Sequence, residues 1–236
     1  MIVRQLSKAY GFLWALKDVN VEFQSGERIA LLGPNGAGKT TFLRLLSALL
    51  YPTSGQIELD GQKIRLGSSR LRSAVGLLSP GEHFYENLTL KENLRLFNAL
   101  YGTGKDLHDI EHSLDTVGLL GCSNEYVASL SSGMKCRLAI AKWQLLEPRL
   151  LLLDEPYGVL DGNGVDLLES YLERLCIHGG IVVIATHHVP RIATFCSRAV
   201  VLNKGRIIFD EPRREPWESL HRVFGGFLPR GEKWNF

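Results

Sequence analysis

Gly33-Pro34-Asn35-Gly36-Ala37-Gly38-Lys39-Thr40 is the stretch that decides how this chain folds. It is a complete G-x-x-x-x-G-K-[ST] pattern. The run before it, Ile29-Ala30-Leu31-Leu32, is apolar and strand-like, and the run after it, Thr41 to Leu50, has the spacing of a helix. Strand, loop and helix in that order form the setting in which this pattern cradles phosphate. The glycines let successive backbone N–H groups point inward, and the helix N-terminus adds a partial positive charge. Lys39 is then placed to reach the β- and γ-phosphates of a nucleotide, and the Thr40 hydroxyl to ligate Mg²⁺. An ordinary glycine turn is the alternative, and the flanks argue against it.

The 236 residues suffice for one large domain, or for a core with a small subdomain. An apolar content of 45% and a charged content of 22% are ordinary for a globular protein. A net charge of +2 gives no argument for nucleic acid. No apolar stretch approaches the roughly 18 residues of a membrane span, and the start, Met1-Ile2-Val3-Arg4-Gln5, has no signal-like apolar core. Cys122, Cys136, Cys176 and Cys196 form no C-x-x-C pair, so free thiols in a reducing cytosol are expected.

Outward from the loop, the chain changes period twice. Val19–Phe23 and Ile57–Gly61 alternate like antiparallel strands, the second ending in the hairpin signal Asp60-Gly61. Val75–Leu78 reads as a buried strand. Residues 91–146 have helical spacing instead: Leu90, Leu94, Leu96, Phe97 and Leu100, then Ile110, Leu114, Val117 and Leu119, then a helix from Gly133 to Leu146. Strands return at Leu150–Leu153, Ile181–Ala185, Ala199–Leu202 and Arg206–Phe209, with a helix around Val165–Leu175. Strands alternating with helices imply a parallel sheet covered on both faces.

The expected fold is therefore α/β: a P-loop core of mostly parallel sheet, with an N-terminal antiparallel β subdomain and a helical insert. The boundaries expected are 1–84 and 148–211 for the core, 85–147 for the helical subdomain, and 212–236 for a C-terminal extension. Trp217, Phe224, Phe227 and Trp234 of that extension either pack back on the core or touch a partner.

Leu150-Leu151-Leu152-Leu153-Asp154-Glu155-Pro156 supplies the second half of a nucleotide site. Four buried-strand residues end in two carboxylates. Asp154 is placed to hold Mg²⁺, directly or through water, and Glu155 to polarise the attacking water as a general base. Two solvated loop acids are the plainer alternative.

Leu130-Ser131-Ser132-Gly133-Met134, just before Lys135-Cys136-Arg137-Leu138-Ala139-Ile140-Ala141, resembles the LSGGQ signature of ATP-binding cassette (ABC) ATPases. The order of phosphate loop, signature, Asp154-Glu155 and Thr186-His187 also matches that family, over about residues 1–210. The resemblance implies that ATP and Mg²⁺ are bound by Gly33, Asn35, Gly36, Gly38, Lys39, Thr40, Thr41 and Asp154, with Lys39, Glu155 and His187 as the catalytic set. It makes His187 the switch histidine on the γ-phosphate, with His188 as rival. It implies that Ser131 and the Gly133 backbone bind the γ-phosphate of ATP held by an opposite subunit, so that two chains close head to tail over two ATPs. An ordinary helix cap by Ser131 or Ser132 is compatible with that role. Asp161 resembles the residue that communicates across the dimer, and is equally a helix N-cap before Gly162. Tyr10 resembles the aromatic that stacks on adenine, with Phe12 and Trp14 as alternatives and a core role as the plainer reading.

Three departures stand out. Where the family has a Gln after the Val75–Leu78 strand, this chain has Pro80, within Ser79-Pro80-Gly81-Glu82-His83. Ser79, Glu82, His83 or water must substitute, and Glu82 or His83 is the expectation. Met134 replaces the signature Gln, which leaves the phosphate donors in place. Cys136 replaces a frequent Gln. The LSSGM form and the absent Gln resemble exporter ATPases of the ABC-2 type. Gly179–Val183 and Asp161–Val165 look most like the haem-exporter ATPase of cytochrome c maturation.

The resemblance implies a transport ATPase that is cytoplasmic, peripheral at the inner face of the membrane, and partnered by a separate transmembrane permease subunit. It would form a nucleotide-dependent homodimer, or a heterodimer with another ATP-binding subunit, and no nucleic acid is expected. Residues 79–101 are the expected docking face, although Phe84, Tyr85, Phe97 and Tyr101 there could equally be helix core. A non-transport ABC ATPase acting on a ribosomal or DNA-repair partner is the alternative, and it ordinarily needs tandem cassettes or a long insert. A GTPase lacks support, since Asn203-Lys204-Gly205-Arg206 has no Asp for N-K-x-D.

Overall fold

The computed structural model of the chain describes residues 1–63, 74–79, 84–186, 192 and 194–213. Two sheets carry the fold. The first is antiparallel: β1 (Ile2–Tyr10), β2 (Leu13–Glu22), β4 (Ser54–Leu59) and β5 (Gln62–Lys63), in the order β2-β1-β4-β5. The second runs β10-β9-β3-β8-β7-β6, built from β3 (Arg28–Leu32), β6 (Val75–Leu78), β7 (Leu150–Asp154), β8 (Ile181–Ala185), β9 (Arg198–Asn203) and β10 (Arg206–Pro212). Its pairs β9·β3, β3·β8, β8·β7 and β7·β6 are parallel, and β10 closes one edge antiparallel to β9. The expected α/β class, mostly parallel with an antiparallel N-terminal sheet, is what forms.

The central strands are apolar without interruption because both of their faces are covered. Successive side chains of a strand point to opposite faces, and the core divides accordingly. Ile29, Leu31, Leu150, Leu152, Ile181 and Val183 join one cluster with Phe42, Leu43, Leu45 and Leu46 of helix α1 (Lys39–Leu46) and with Val3, Leu6 and Leu16 of the antiparallel sheet. Ala30, Leu32, Leu151, Leu153, Val182 and Ile184 join the other. That second cluster includes residues of α2 (Leu90–Tyr101), α3 (Leu107–Thr116), α4 (Ser132–Leu146) and α5 (Gly162–Ile177).

Helix boundaries follow from local chemistry. Thr89 and Glu92 form a reciprocal capping box at the start of α2, and Asp106 and Asp109 do the same for α3. The helix after the phosphate loop is shorter than its apolar run suggests. It stops at Leu46, Ala48 takes a left-handed φ of 53°, and Leu49 is exposed. The helices expected at Gly133 and Val165 begin earlier, at Ser132 and Gly162, because Ser131 and Asp161 cap them.

The aromatic residues weighed as docking face or core divide. Phe84 is buried, and Phe97 and Tyr101 pack against the same cluster. Phe97 meets Phe84 edge-on at 5.9 Å between centroids, while Tyr85 stays exposed. All four cysteines are free thiols. Among the described residues no helix is long and apolar enough to cross a membrane. The C-terminal aromatic residues Trp217, Phe224, Phe227 and Trp234 lie outside the described residues.

Candidate nucleotide site

The site lies where the parallel strands end. β3 delivers Gly33, β7 delivers Asp154, and β8 delivers Thr186, all at C-terminal ends of one sheet, where open α/β sheets bind their ligands. Gly33 has φ 148°, and a Cβ there would stand 2.1 Å from the Leu202 carbonyl oxygen. Gly38 has φ 108°, and its Cβ would stand 2.5 Å from the Ala15 carbonyl. These two positions must be glycine because the loop is pressed against β9 on one side and the β1–β2 hairpin on the other. Asn35 and Gly36, at the crest of the loop, are exposed.

Lys39 folds back on its own loop, donating to the Gly33 carbonyl at 2.7 Å and the Pro34 carbonyl at 3.2 Å. Burial pushes its pKa below the ordinary lysine value, and the charges of Glu155 and Asp154 oppose that shift. The ammonium thus lies within the field of both carboxylates while it is bound to its own loop.

Thr40 Oγ1 donates to Asp154 Oδ2 at 2.7 Å, joining residues 114 positions apart. A hydroxyl and a carboxylate are hard oxygen donors. Their separation is within a few tenths of an ångström of the roughly 3.0 Å between neighbouring ligands of an octahedral Mg²⁺ shell with bonds of about 2.1 Å. The residues present therefore fit Mg²⁺, with Thr40 and Asp154 as its protein ligands, directly or through water. When bound, the ion would neutralise phosphate charge.

Glu155 follows at once with a left-handed φ of 51°. Its N–H donates to Ala185 O at 2.7 Å, and its Oε2 accepts from the Thr186 hydroxyl at 2.8 Å. Thr186 is buried, 2% exposed. Sequence reasoning did not assign Thr186 a role. Its signals were a hydroxyl ending the otherwise apolar run Ile181–Ala185 and its place before His187 in the motif order.

Thr41 is the third residue of α1 and partly buried. Tyr10 ends β1, half exposed, with the Lys8 ammonium 5.3 Å from its ring centroid. It belongs to the same hairpin whose Ala15 abuts Gly38, so the hairpin and the loop are neighbours. Phe12 is fully exposed and Trp14 half exposed.

Ser131 is the N-cap of α4, its hydroxyl accepting from Met134 N at 3.2 Å. A Cβ on Gly133 would lie 3.3 Å from the Val159 carbonyl, so the signature start is seated beside the loop that leaves β7. Asp161 caps α5 through Gly164 N at 2.7 Å and pairs with Arg137 of α4 at 3.1 Å. The Gly164 amide, then Arg137, hold its carboxyl below the usual range. The Arg137 contact was not legible in the sequence, since nothing local links positions 137 and 161. Ser79 follows β6 and is partly buried. His187, His188, Pro80, Glu82 and His83 lie outside the described residues.

A separate cleft of about 800 Å³ opens at the opposite ends of β7 and β8, lined by residues including Arg149, Ile181, Tyr171 and His112. It is remote from the phosphate loop and from both carboxylates, and has no part in this chemistry.

A strand-end phosphate loop facing an Asp-Glu strand end is the arrangement of a P-loop ATPase. The family model described as ABC transporter matches residues 16–158. The chain is 30% identical to the ABC transporter ATP-binding protein NatA of Bacillus subtilis, over 92% of each chain. It is 38% identical to the cytochrome c biogenesis ATP-binding export protein CcmA of Pseudomonas syringae pv. syringae, over 73% of this chain and 80% of that one. It superposes with a TM-score of 0.81 and 27% identity on the ATP-binding cassette MJ0796, solved as a dimer in a post-hydrolysis state bound to ADP and Pi, covering 90% of this chain and 98% of that one. Matching relatives include proteins named for import as well as for export. The chain belongs to the ABC transporter family, as an ATP-binding subunit with ATPase activity.

Proposed function

We propose that this chain is the motor of an export system, hydrolysing Mg²⁺-ATP to drive a separate transmembrane subunit from the cytoplasmic face of the membrane. The observation that carries the motor chemistry is the convergence of Lys39, Thr40, Asp154 and Glu155 at the C-terminal ends of the parallel strands. Lys39 binds the β- and γ-phosphates, and the loop amides around Gly33, Asn35, Gly36 and Gly38 cradle them. Thr41 continues that cradle into α1, and Thr40 with Asp154 holds the metal. Glu155 takes a proton from the attacking water, with His187 on the γ-phosphate, and Tyr10 lies under the adenine.

Ser131 and Gly133 act on a second copy's ATP. The Ser131 hydroxyl accepts from Met134 N, which leaves its own hydrogen to donate to phosphate. Asp161 sits beside that signature start through Arg137, and so senses the dimer contact. The helical segment 85–147 is taken as the subdomain that presents this surface, and 1–84 with 148–211 as the ATP-binding core. Likeness to the cytochrome c biogenesis export protein supports export, and haem or a related cargo of that pathway is the corresponding proposal.

Glu155→Gln in the full chain tests the motor. It should retain ATP, slow hydrolysis at least about 100-fold by removing the base while keeping shape, and accumulate an ATP-bound dimer by light scattering. Hydrolysis at the wild-type rate would remove Glu155 from the base role. Purification of the tagged chain from native membranes tests the partner. Recovery of a polytopic membrane protein supports the transporter, and recovery of ribosomal or repair components supports the alternative.

A further inference from the structure

We propose that Thr186 is a positioning residue for hydrolysis, its buried hydroxyl fixing the carboxylate of Glu155 in the direction required of the base. The inference rests on the reading of Glu155 as that base. Three observations carry it, and all are geometric.

The first is strain. Glu155 has φ 51°, a conformation that non-glycine residues adopt at a cost and hold only where neighbours over-determine it. The second is a two-point clamp from adjacent residues of the neighbouring strand. Asp154 pairs with Ala185 at the end of the parallel β7·β8 ladder. One residue further on, the Glu155 N–H donates to Ala185 O at 2.7 Å, which holds the strained backbone. Thr186 then reaches back, donating its hydroxyl to Glu155 Oε2 at 2.8 Å. The backbone bond fixes where the side chain starts. The hydroxyl acts further out, on the carboxylate itself, pinning one oxygen and so constraining the direction of the other.

The third is burial. Thr186 is 2% exposed, so water cannot readily replace its hydroxyl. A hydrogen bond to a charged group in such a place is worth more than a neutral one at the surface. The same pattern recurs on the preceding residue, where the Thr40 hydroxyl holds Asp154 at 2.7 Å. Each of the two adjacent carboxylates is thus held by a threonine from a different element, Thr40 from the first turn of α1 and Thr186 from just past the end of β8.

Steady-state hydrolysis by the full chain, with Mg²⁺ and varied ATP, tests this. Thr186→Val keeps the branched shape and removes the donor. It should lower kcat about 10- to 100-fold, as expected for loss of a hydrogen bond to a charged group, with KM for ATP within about 2-fold, because the loop that binds ATP is untouched. Thr186→Ser should return kcat to within about 3-fold. If the valine variant does not fold, Thr186→Ala against Thr186→Ser gives the same comparison, since both lose the methyl group and only serine keeps the hydroxyl. In a double-mutant cycle, adding Thr186→Val to Glu155→Gln should cost nothing further, because the residue acts through Glu155.

Wild-type kcat in the valine variant, a serine variant as slow as alanine, or an undiminished second loss in the double variant would each overturn the proposal. Failure of the underlying reading is seen separately, in Glu155→Gln alone hydrolysing at the wild-type rate.

Discussion

The Thr40 hydroxyl and the Asp154 carboxylate meet at 2.7 Å, and this contact joins the two halves of the site across 114 residues of chain. Asp154 ends β7 and Thr40 stands in the first turn of α1, which the loop after β3 brings over the same end of the sheet. Asp154→Asn keeps the size and one oxygen but removes the charge. The expected result is a rise of about 10-fold or more in the Mg²⁺ concentration needed for half-maximal hydrolysis, with metal-free ATP binding little changed. A Mg²⁺ titration of ATPase rate checks it, and an unaltered midpoint would remove Asp154 from the metal site.

Lys39 is bound to its own loop carbonyls, Gly33 O and Pro34 O. Its removal therefore subtracts a phosphate partner while freeing two carbonyls at the loop's mouth. Lys39→Ala should weaken ATP binding about 10- to 100-fold, as expected for loss of a charge-assisted contact. Calorimetric titration of the variant with ATP reads this directly, and wild-type affinity would defeat the phosphate-loop assignment.

How much of this was legible in the sequence depended on the range of the interaction. Val75–Leu78 and Ile181–Ala185 were read to the residue because uninterrupted apolar strands mark burial on both faces. The helix after the loop was over-extended because Leu49 and Leu50 continue an apolar run. The left-handed turn at Ala48, which ends it, leaves no mark in composition. Asp154 and Glu155 were legible because a strand that ends in two acids is a local pattern. The hydroxyl of Thr186 on Glu155 and the guanidinium of Arg137 on Asp161 were not, because each pair is brought together only by tertiary packing.

Two glycines of the loop should differ sharply in tolerance. Gly33→Ala places a Cβ 2.1 Å from Leu202 O, a backbone atom that cannot swing away. Gly36→Ala meets nothing within 4 Å and carries only the strain of φ 77°, about 1–2 kcal/mol. Thermal unfolding should show Gly36→Ala folded with a modestly lower Tm, and Gly33→Ala much less stable or unfolded. Equal losses in the two variants would contradict the packing of the loop on β9.

Lys142 gives a pH-dependent prediction. It is buried in α4 with its ammonium 4.1 Å from the Trp143 ring centroid, 4.9 Å from Phe97 and 5.2 Å from Phe84. Burial pulls its pKa from the ordinary 10.5 down to about 7. Below that value both folded and unfolded chains carry the proton, and the fold bears the whole cost of the buried charge. Between about pH 7 and 10 the unfolded chain binds the proton and the folded chain does not, so this group makes stability rise with pH. Lys142→Met keeps the length and apolar packing without the charge, and lacks that rise. The Tm of the methionine variant minus that of wild type should therefore fall by several degrees between pH 6 and pH 9.5. Paired thermal melts across that range measure the difference with all other titrating groups in common. A difference that stays constant with pH would show that Lys142 titrates near its ordinary value in the folded chain.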